Sequence, residues 1–551
     1  MNKMKGRFVT TIFLAACAFF SVVAFGADPS GAPRKKLIEL GWDIPTTDYL
    51  REHYREMESN APFDGVVYDL TARNDAGQLC SSQSLFTPER WNREDFQSCV
   101  DDLNACDFQR YRENFIRVNF HPAGFDWTDD DAWSAVSEKV GICAYVARET
   151  RGGICFDFES YGATLFRWDS KSSLSFNETR ALARKRGAQF CKAIVDEYPD
   201  VTILCLWMNS VNYAAGRAER PEDVLRGSYY GLLPSFIDGL LDEASSETRF
   251  VEGCESGYYM DGALEYMRAS LEAISVNGPA MALVSPENRA KYRLQTTSGF
   301  GFYLDMYSNP EGSIYYRGPR TGETRFDRLR ANLTAAFDAA EEYVWVYGEK
   351  KRWWAPPNGG EWESWEEALP GLTALIFELS DPQGAYASIK ERLESSGAKN
   401  LIVNGRFKDK TDVNAFANWG TWRREDSHGQ FLEVDGVAAI KGDLNACYIQ
   451  PCEVKPGKKY LISGKIGVEG DVVGSLIARW QDSSHRWVSE QQDIRIGRPE
   501  QGAPDASGRV EATGVATVPE GASFLVVLLS ASAESDDAVA TFDDIKVYEI
   551  E

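Results

Sequence analysis

The chain has 551 residues, 43% of them hydrophobic and 26% charged, which is enough for about two to four globular domains or for one large barrel and a smaller module. Its formal net charge of −24 excludes a nucleic-acid partner, which needs clustered Lys and Arg, and disfavours a highly sulfated polyanion. The 4 histidines and 11 cysteines show no CxxC or paired-His spacing, so no metal centre of the zinc type is expected.

Residues 1–26 have the pattern of an export signal. A basic start precedes the uncharged apolar run Phe8–Phe25, and small residues follow at the cleavage position. Two alternatives remain open. The run has about 18 residues, the lower limit for a membrane anchor, and the residues that end at Cys17 resemble a lipoprotein signal. We therefore expect a secreted or periplasmic protein, with stable membrane attachment only if Cys17 is lipidated.

Within a domain expected over residues 36–398, residues 36–350 repeat one theme, in which a short apolar run is followed by an amphipathic segment. Such segments include residues 48–58, 130–148, 177–198 (with Asn177 as N-cap) and 321–340. The apolar runs are Leu37–Trp42, Gly65–Leu70, Phe115–Phe120, Gly153–Phe158, Val201–Trp207, Phe250–Cys254, Gly299–Leu304 and Tyr343–Tyr347. Eight buried strands that alternate with helices predict an α/β fold, a (β/α)8 TIM barrel. The alternative, an open doubly wound sheet, would carry a Gly-rich phosphate loop after the first run, and the sequence there has none.

After Lys399 the helical periodicity stops, and short β-rich runs separated by turn residues predict an all-β jelly-roll sandwich over residues 399–551. Three segments stand out in this region: residues 400–407 (NLIVNGRF), 454–460 (VKPGKKY) and 542–548 (FDDIKVY). In this order they resemble motifs of the carbohydrate-binding modules of families 4 and 9, and the resemblance covers about 150 residues. The resemblance implies that a carbohydrate-active enzyme is attached, although the same sandwich also occurs as an inert spacer.

Four tryptophans of this region are candidate sugar platforms, because sugar rings pack on aromatic faces. They are Trp419, Trp422, Trp480 and Trp487, each of which could instead belong to the core. Asp543 and Asp544 offer two carboxylates for a structural calcium. Cys447 and Cys452 are the cysteines most suited to a disulfide, with free thiols as the alternative.

In barrels of this kind the reactive groups follow the carboxyl ends of the strands. Nearly every predicted run ends in a carboxylate, an amide or an aromatic side chain. The candidates for substrate binding are Trp42, Asp43, Asp69, His121, Trp207, Asn209, Tyr258, Tyr259, Tyr303, Asp305, Trp345 and Trp353.

The fourth run supplies the strongest catalytic candidates, Asp157 and Glu159. Residues two apart on a strand point the same way, and two close carboxyl groups do not readily both ionise. The segment Gly153–Glu159 resembles the fourth-strand motif of family 18 glycoside hydrolases, with Cys155 where that family has a further Asp. The resemblance implies Glu159 as the acid and Asp157 as the residue that orients the substrate.

A second catalytic carboxylate is expected from Glu255 or Glu349, with Asp305 and Glu252 as further candidates. Paired carboxylates with aromatic platforms predict a glycoside hydrolase acting on a poly- or oligosaccharide, without a cofactor. A polysaccharide lyase is an alternative, with His121 or Tyr303 as the base. A barrel that only binds carbohydrate, with no catalysis, is the other alternative.

Overall fold

The computed structural model describes residues 34–87, 89–121, 125–159, 165–357, 359–411, 415–443, 445–488, 494–496, 504–533 and 535–550. The chain divides after Gly397 into two compact units. The export signal predicted at residues 1–26, including Cys17, lies outside the described residues. Within the described ranges, no helix is long and apolar enough to cross a membrane.

The first unit combines parallel strands with helices. Its strands are β1 Lys36–Gly41, β2 Gly65–Tyr68, β3 Thr71–Arg73, β4 Leu79–Ser81, β5 Phe115–Asn119, β6 Gly153–Asp157, β7 Thr202–Cys205, β8 Arg249–Glu252, β9 Thr296–Ser298, β10 Phe300–Tyr303 and β11 Tyr343–Gly348. Its α-helices are α1 Thr47–Asn60, α2 Gln97–Asn104, α3 Asp130–Thr150, α4 Phe176–Glu197, α5 Tyr213–Gly216, α6 Pro221–Leu225, α7 Leu233–Glu243, α8 Ala263–Ile274, α9 Pro279–Ala282, α10 Arg289–Gln295, α11 Asp305–Ser308, α12 Arg325–Ala339, α13 Trp365–Ala368, α14 Leu372–Ser380 and α15 Pro382–Ser395.

Nine of these strands form one parallel sheet in the order β10-β11-β1-β2-β5-β6-β7-β8-β9. The two strands at the ends of this order, β9 and β10, follow one another in the chain and are separated only by Gly299. Gly299 N donates to Glu252 O on β8 at 2.8 Å, while Phe300 pairs with Val344 on β11. The sheet is therefore a nearly closed barrel, and each of the eight predicted apolar runs contains one of its strands.

Helices surround this sheet and bury its outer face. The segments predicted as helical near residues 48, 130, 177 and 321 correspond to α1, α3, α4 and α12. The predicted cap of α4 was wrong by two residues: Ser175, not Asn177, is the N-cap, and it forms a capping box with Glu178. Between α4 and α7, a side chain on Gly187 would meet Phe236 O at 2.1 Å, so this glycine permits the close helix contact.

The second unit contains antiparallel strands. They are β12 Gly420–Arg423, β13 Gln430–Val434, β14 Val437–Lys441, β15 Ala446–Glu453, β16 Lys459–Glu469, β17 Val472–Gln481, β18 Ile494–Arg495, β19 Val510–Thr517, β20 Phe524–Ala533 and β21 Val539–Ile550. Two five-stranded sheets result, β12-β15-β20-β17-β18 and β13-β14-β21-β16-β19. Apolar side chains of both sheets form one core, as a β-sandwich requires.

The disulfide considered for Cys447 and Cys452 is contradicted. Both residues lie on β15, where they pair with Ser530 and Leu525 of β20. Residues five apart on one strand are about 16 Å apart, whereas a disulfide needs Cα atoms within about 7 Å. All ten cysteines from Cys80 to Cys452 are free thiols.

The four candidate tryptophans divide into two pairs. Trp419 and Trp480 are buried in the sandwich core, whereas Trp422 and Trp487 are 49% and 46% exposed. The calcium considered at Asp543 and Asp544 finds no support, because Asp544 forms ion pairs with Arg406 and Lys546, both at 3.0 Å. Two protein cations already balance this carboxylate.

Candidate active site

A cavity of about 600 Å³ opens where the barrel strands end. Such a position is where side chains from distant parts of a barrel sequence meet. The residues that line it are Leu40, Gly41, Trp42, Ile44, Asp69, Gln83, Arg117, Asn119, Cys155, Asp157, Glu159, Leu206, Glu255, Tyr258, Trp345 and Tyr347.

Three carboxyl groups face one another in this cavity: Asp157 at the end of β6, Glu159 two residues later, and Glu255 after β8. Burial raises the pKa of Glu255 to about 8, and the charges of Glu159 and Asp157 add to this rise. Glu255 therefore carries a proton at neutral pH while a carboxylate lies close by. A neutral carboxylic acid beside an ionised one is the arrangement that general acid catalysis needs.

The backbone around Glu255 explains how it reaches the cavity. Cys254 adopts a left-handed conformation with φ of 38°, which is rare for a residue other than glycine. Glu255 N then donates to Leu206 O at 3.1 Å and starts a 3₁₀ turn, Glu255–Tyr259. Strain of this kind persists where the surrounding structure enforces it, and it is concentrated at functional sites.

Glu252, a further candidate for the second carboxylate, has a different role. It is completely buried, and it accepts hydrogen bonds from Met208 N at 2.7 Å, Ser210 N at 3.0 Å and Ser210 Oγ at 2.7 Å. These bonds hold the segment after β7 against the end of β8. Glu252 therefore supports the backbone that positions Glu255.

Asp157 is held by two donors. Asn119 Nδ2 donates to Asp157 Oδ2 at 2.6 Å, and Glu159 N donates to Asp157 Oδ1 at 3.0 Å. Burial raises the pKa of Asp157 to about 6, although these donors and the Arg117 charge oppose the rise. The hydrogen bonds fix the orientation of Asp157, which suits a group that orients a ligand or a neighbouring acid.

Asp69 and Arg117 form a two-point ion pair at the side of the cavity. Arg117 Nε and Nη2 donate to the two oxygens of Asp69 at 2.9 Å and 2.7 Å. Bidentate geometry of this kind fixes both side chains. Asp69, predicted to bind substrate, thus lines the cavity but is already paired with a cation.

Aromatic side chains form one wall and the rim. Trp42 is 68% exposed, and its Nε1 donates to the Tyr347 hydroxyl at 2.9 Å. Tyr347 is stacked on Tyr258 at 5.8 Å, and Tyr258 also contacts Trp345. An exposed indole beside a cavity of polar groups is a suitable platform for a sugar ring.

Of the sixteen residues predicted for the site, seven line the cavity: Trp42, Asp69, Asp157, Glu159, Glu255, Tyr258 and Trp345.

 An eighth predicted residue, Tyr259, follows Tyr258 on the same 3₁₀ turn and is 58% exposed.

The other predicted residues lie outside this lining. Asp43 and Trp353 are buried behind the end of β1, where Trp353 N donates to Asp43 Oδ2 at 2.7 Å. Trp207 packs on Tyr230, and Asn209 Nδ2 donates to Ala280 O at 3.3 Å. His121 follows β5 and is partly buried.

Glu349 belongs to a separate group with Tyr303 and Asp305. Asp305 is buried and accepts from Glu349 N at 2.8 Å, while the Tyr303 hydroxyl hydrogen-bonds to the Glu349 carboxylate. Of the two carboxylates ranked together from the sequence, the structure brings Glu255 to Asp157 and Glu159 and places Glu349 in this neighbouring group.

Four polar or aromatic residues of the cavity are absent from the predicted site residues: Gln83, Arg117, Asn119 and Tyr347. Arg117 carries a signal that could have identified it, because it is the one charged residue within the run Phe115–Phe120. A charge in a buried strand needs a partner and often marks a site. Gln83 lies on a short 3₁₀ turn, Ser82–Ser84, and carries no comparable signal.

The described residues hold no cluster of three or more His, Cys, Asp or Glu side chains that is arranged to bind a metal ion.

No protein-family model matches the sequence, and no curated protein is significantly similar to it. Among solved structures, the chain is similar to the enzymatically active domain of tailspike protein 4 from bacteriophage CBA120, with 16% identity over 27% of this chain and 21% of that chain and a TM-score of 0.21. It is similar to a carbohydrate-binding module of family 4, with 19% identity over 27% of this chain and 99% of that chain and a TM-score of 0.21. It is also similar to the xylan-binding domain CBM22-1 of Xyn10C from Paenibacillus barcinonensis, with 13% identity over 28% of this chain and 96% of that chain and a TM-score of 0.20. Matches of this extent cover little more than a quarter of the chain and do not assign it to a family.

Proposed function

We propose that the chain is an exported glycoside hydrolase with a (β/α)8 barrel as its catalytic unit. The observation that carries the proposal is that Glu255, Asp157 and Glu159 line one cavity, where burial raises the pKa of Glu255 to about 8. Glycosidic cleavage needs one carboxyl group that gives a proton to the leaving oxygen and a second that acts as nucleophile or base.

The electrostatics support a division of roles. Glu255 is the proton donor, because its pKa of about 8 keeps it neutral at physiological pH. Glu159 is the second carboxylate, which attacks the sugar or activates water. This assignment differs from the one implied by the family 18 resemblance, in which Glu159 was the acid. Asp157, held by Asn119 and by Glu159 N, orients the pair.

The aromatic rim supports a saccharide as the ligand. Trp42 presents an exposed indole next to the carboxyl groups, and Tyr258 and Tyr347 line the same wall. Sugar rings pack their C–H faces on such surfaces, while carboxylates and amides bind the hydroxyl groups.

The experiment is a polysaccharide panel assayed for new reducing ends with residues 27–551. Glu255→Gln and Glu159→Gln should each lower kcat by about 10²- to 10⁴-fold. Glu243→Gln, at an exposed position at the end of α7, is the matched control and should retain activity. Equal activity of all three variants would remove the carboxyl pair from the mechanism, and an unsaturated product that absorbs in the ultraviolet would indicate the lyase instead.

The second unit supports a further role in holding carbohydrate. In the sheet β12-β15-β20-β17-β18, Trp422 pairs with Cys447, so both side chains lie on the same face. Cys447, Val526 and Leu528 form an apolar strip outside the main core. At the other side of this strip, the Trp487 ring lies over Arg479 at 4.9 Å.

We therefore propose that this outer face of the sandwich binds carbohydrate, with the two exposed indoles on either side of the strip. Trp422→Ala and Trp487→Ala should each weaken retention of the protein in affinity gels that contain soluble β-glucan or xylan. Retention equal to that of the unchanged protein in every gel that retards it would overturn this role.

A further inference from the structure

Behind the cavity wall lies a second pair of carboxyl groups, Glu39 on β1 and Asp43 just after it. Glu39 precedes Leu40, which lines the cavity, and successive side chains on a strand point in opposite directions. Glu39 therefore points away from the cavity, toward the helices. The exposed fractions of Glu39 and Asp43 are 0% and 2%.

The two carboxyl groups face each other across Gly41, because Asp43 Oδ1 and Glu39 Oε1 lie 2.6 Å and 3.2 Å from the place that a Cβ atom of residue 41 would take. Two buried carboxyl groups this close do not both ionise, so one of them carries a proton. Among the described residues, no donor reaches either oxygen of Glu39 or Oδ1 of Asp43. Burial and the Asp43 charge raise the pKa of Glu39 well above its usual value. Asp43 has better support for a negative charge, because Trp353 N donates to its Oδ2 and Arg352 lies near. Glu39 is therefore the protonated partner.

Gly41, between the two acids, makes this arrangement possible. A side chain at this position would meet Asp43 Oδ1 at 2.6 Å, Gly348 O at 2.7 Å and Glu39 Oε1 at 3.2 Å. Three oxygens thus converge on the space that glycine leaves empty. Any other residue at position 41 would separate the two carboxyl groups.

Asp43 is also a structural link between the first and last strands of the barrel. Its backbone oxygen accepts from Trp354 Nε1 at 2.8 Å, in addition to the bond from Trp353 N to its side chain. The preceding residue is Trp42, whose N donates to Gly348 O at 2.9 Å and whose indole donates to the Tyr347 hydroxyl. The position of Trp42 at the cavity rim therefore depends on how Asp43 is held.

We infer that Glu39 and Asp43 are positioning residues that share one proton, and that this proton fixes Trp42 at the rim of the cavity. When the proton is lost as the pH rises, two buried negative charges face each other behind the strand end. Their repulsion moves Asp43 away from its partners and displaces Trp42 with it.

Other charged and titratable groups surround the pair and act on the same equilibrium. They are Arg352 after β11, Tyr49 on α1, and Tyr111 before β5, with Glu58 and Arg110 next to Tyr111. Arg352 favours the ionised form of both acids, whereas burial and the mutual repulsion oppose it. Glu255 in the cavity is a separate titrating group near the same rim, so the experiment must distinguish the two.

The test follows the Trp42 side chain directly with ¹⁹F NMR on the full chain labelled with 5-fluorotryptophan. Trp42→Phe assigns the resonance. In the unchanged protein this resonance should move in a titration step as the pH is raised. Glu39→Gln should abolish the step, because the Gln amide donates permanently to Asp43, and Asp43→Asn should abolish it as well. Glu255→Gln should leave the step in place.

Persistence of the step in a folded Glu39→Gln or Asp43→Asn variant would overturn the inference, as would its absence from the unchanged protein. Loss of the step in Glu255→Gln would assign the movement to the cavity acids instead. Far-ultraviolet circular dichroism establishes that each variant is folded, and the second substitution serves if the first is not. No substrate is needed, so the result is independent of the proposed hydrolysis.

Discussion

Asn119 Nδ2 donates a 2.6 Å hydrogen bond to Asp157 Oδ2, which joins the end of β5 to the end of β6 within the cavity. The bond is short and favours the ionised form of Asp157, because a carboxylate is the better acceptor. One amide thus influences both the geometry and the charge of the acidic group.

Removal of this amide should change the titration of Asp157. In Asn119→Ala we expect the pKa of Asp157 to rise above its value of about 6, since a donor that lowers it is lost. Carboxyl ¹³C NMR measures the change. Asn209→Ala, which removes a buried amide bonded to Ala280 O, should leave the titration in place. A pKa that does not rise in Asn119→Ala would contradict the role of the bond.

The raised pKa of Glu255 has consequences for activity and for stability. Activity that requires its proton should fall as pH rises through about 8. The folded state binds this proton more tightly than the unfolded state, so its contribution to stability is complete at low pH and is lost as pH rises toward 8. Glu255→Gln should therefore gain stability relative to the unchanged protein with increasing pH, as measured by denaturant unfolding. A constant difference between the two proteins from pH 5 to pH 9 would contradict the assignment.

Removal of only one partner of the Asp69–Arg117 ion pair should lower the free energy of unfolding. Both side chains are largely buried, with 13% and 16% of their surface exposed. Arg117→Met leaves Asp69 without its cation, and we expect a loss of about 3–5 kcal/mol in the free energy of unfolding. The double variant with Asp69→Asn should lose less than Arg117→Met alone. Denaturant titration of the four proteins measures this coupling, and additive losses would exclude it.

The barrel could be predicted well from the sequence because its strands are buried on both faces and read as continuous apolar runs. Phe115–Phe120 and Tyr343–Tyr347 each contain a strand of the sheet, as predicted. The sequence does not show toward which side of the strand end a following side chain points. Asp43 follows a strand just as Asp69 does, yet Asp43 lies behind the wall and Asp69 lines the cavity.

Glu255 and Glu349 were equally ranked for a similar reason. Each follows a strand and precedes aromatic residues, so the local pattern cannot separate them. The difference arises from the left-handed Cys254, which directs the following turn toward β6. At this turn Cys254 N donates to Glu252 Oε1 at 3.4 Å and Glu255 N donates to Leu206 O at 3.1 Å, and the second contact, with a residue distant in sequence, leaves no local sequence pattern.

The tryptophans of the second unit offer a contrast between packing and binding. Trp419 is buried against Phe407, and Trp419→Ala should lower the free energy of unfolding by about 3–5 kcal/mol. Trp422 is half exposed, so Trp422→Ala should change the free energy of unfolding by less than about 0.5 kcal/mol. The same substitution should weaken binding to β-glucan or xylan. Denaturant unfolding and affinity gels separate the two effects, and equal destabilisation by both variants would contradict the difference in burial.

The thiols of β15 should be accessible to alkylation once the chain unfolds. Cys447 and Cys452 form no disulfide, so iodoacetamide added in denaturant without a reductant should modify both. Peptide mass spectrometry gives the result. Modification that appears only after reduction would show a disulfide at one of these positions.

The pairing of β11 with both β1 and β10 determines when the cavity comes into existence. Trp42, near the start of the described chain, meets Tyr347 only after more than three hundred intervening residues have been synthesised. A nascent chain that ends before Tyr343 already contains Asp157, Glu159 and Glu255. It lacks strand β11, which supplies Trp345 and Tyr347 to the cavity. The cavity is therefore assembled late in synthesis, and a ribosome-bound or truncated product that ends before Tyr343 would lack it.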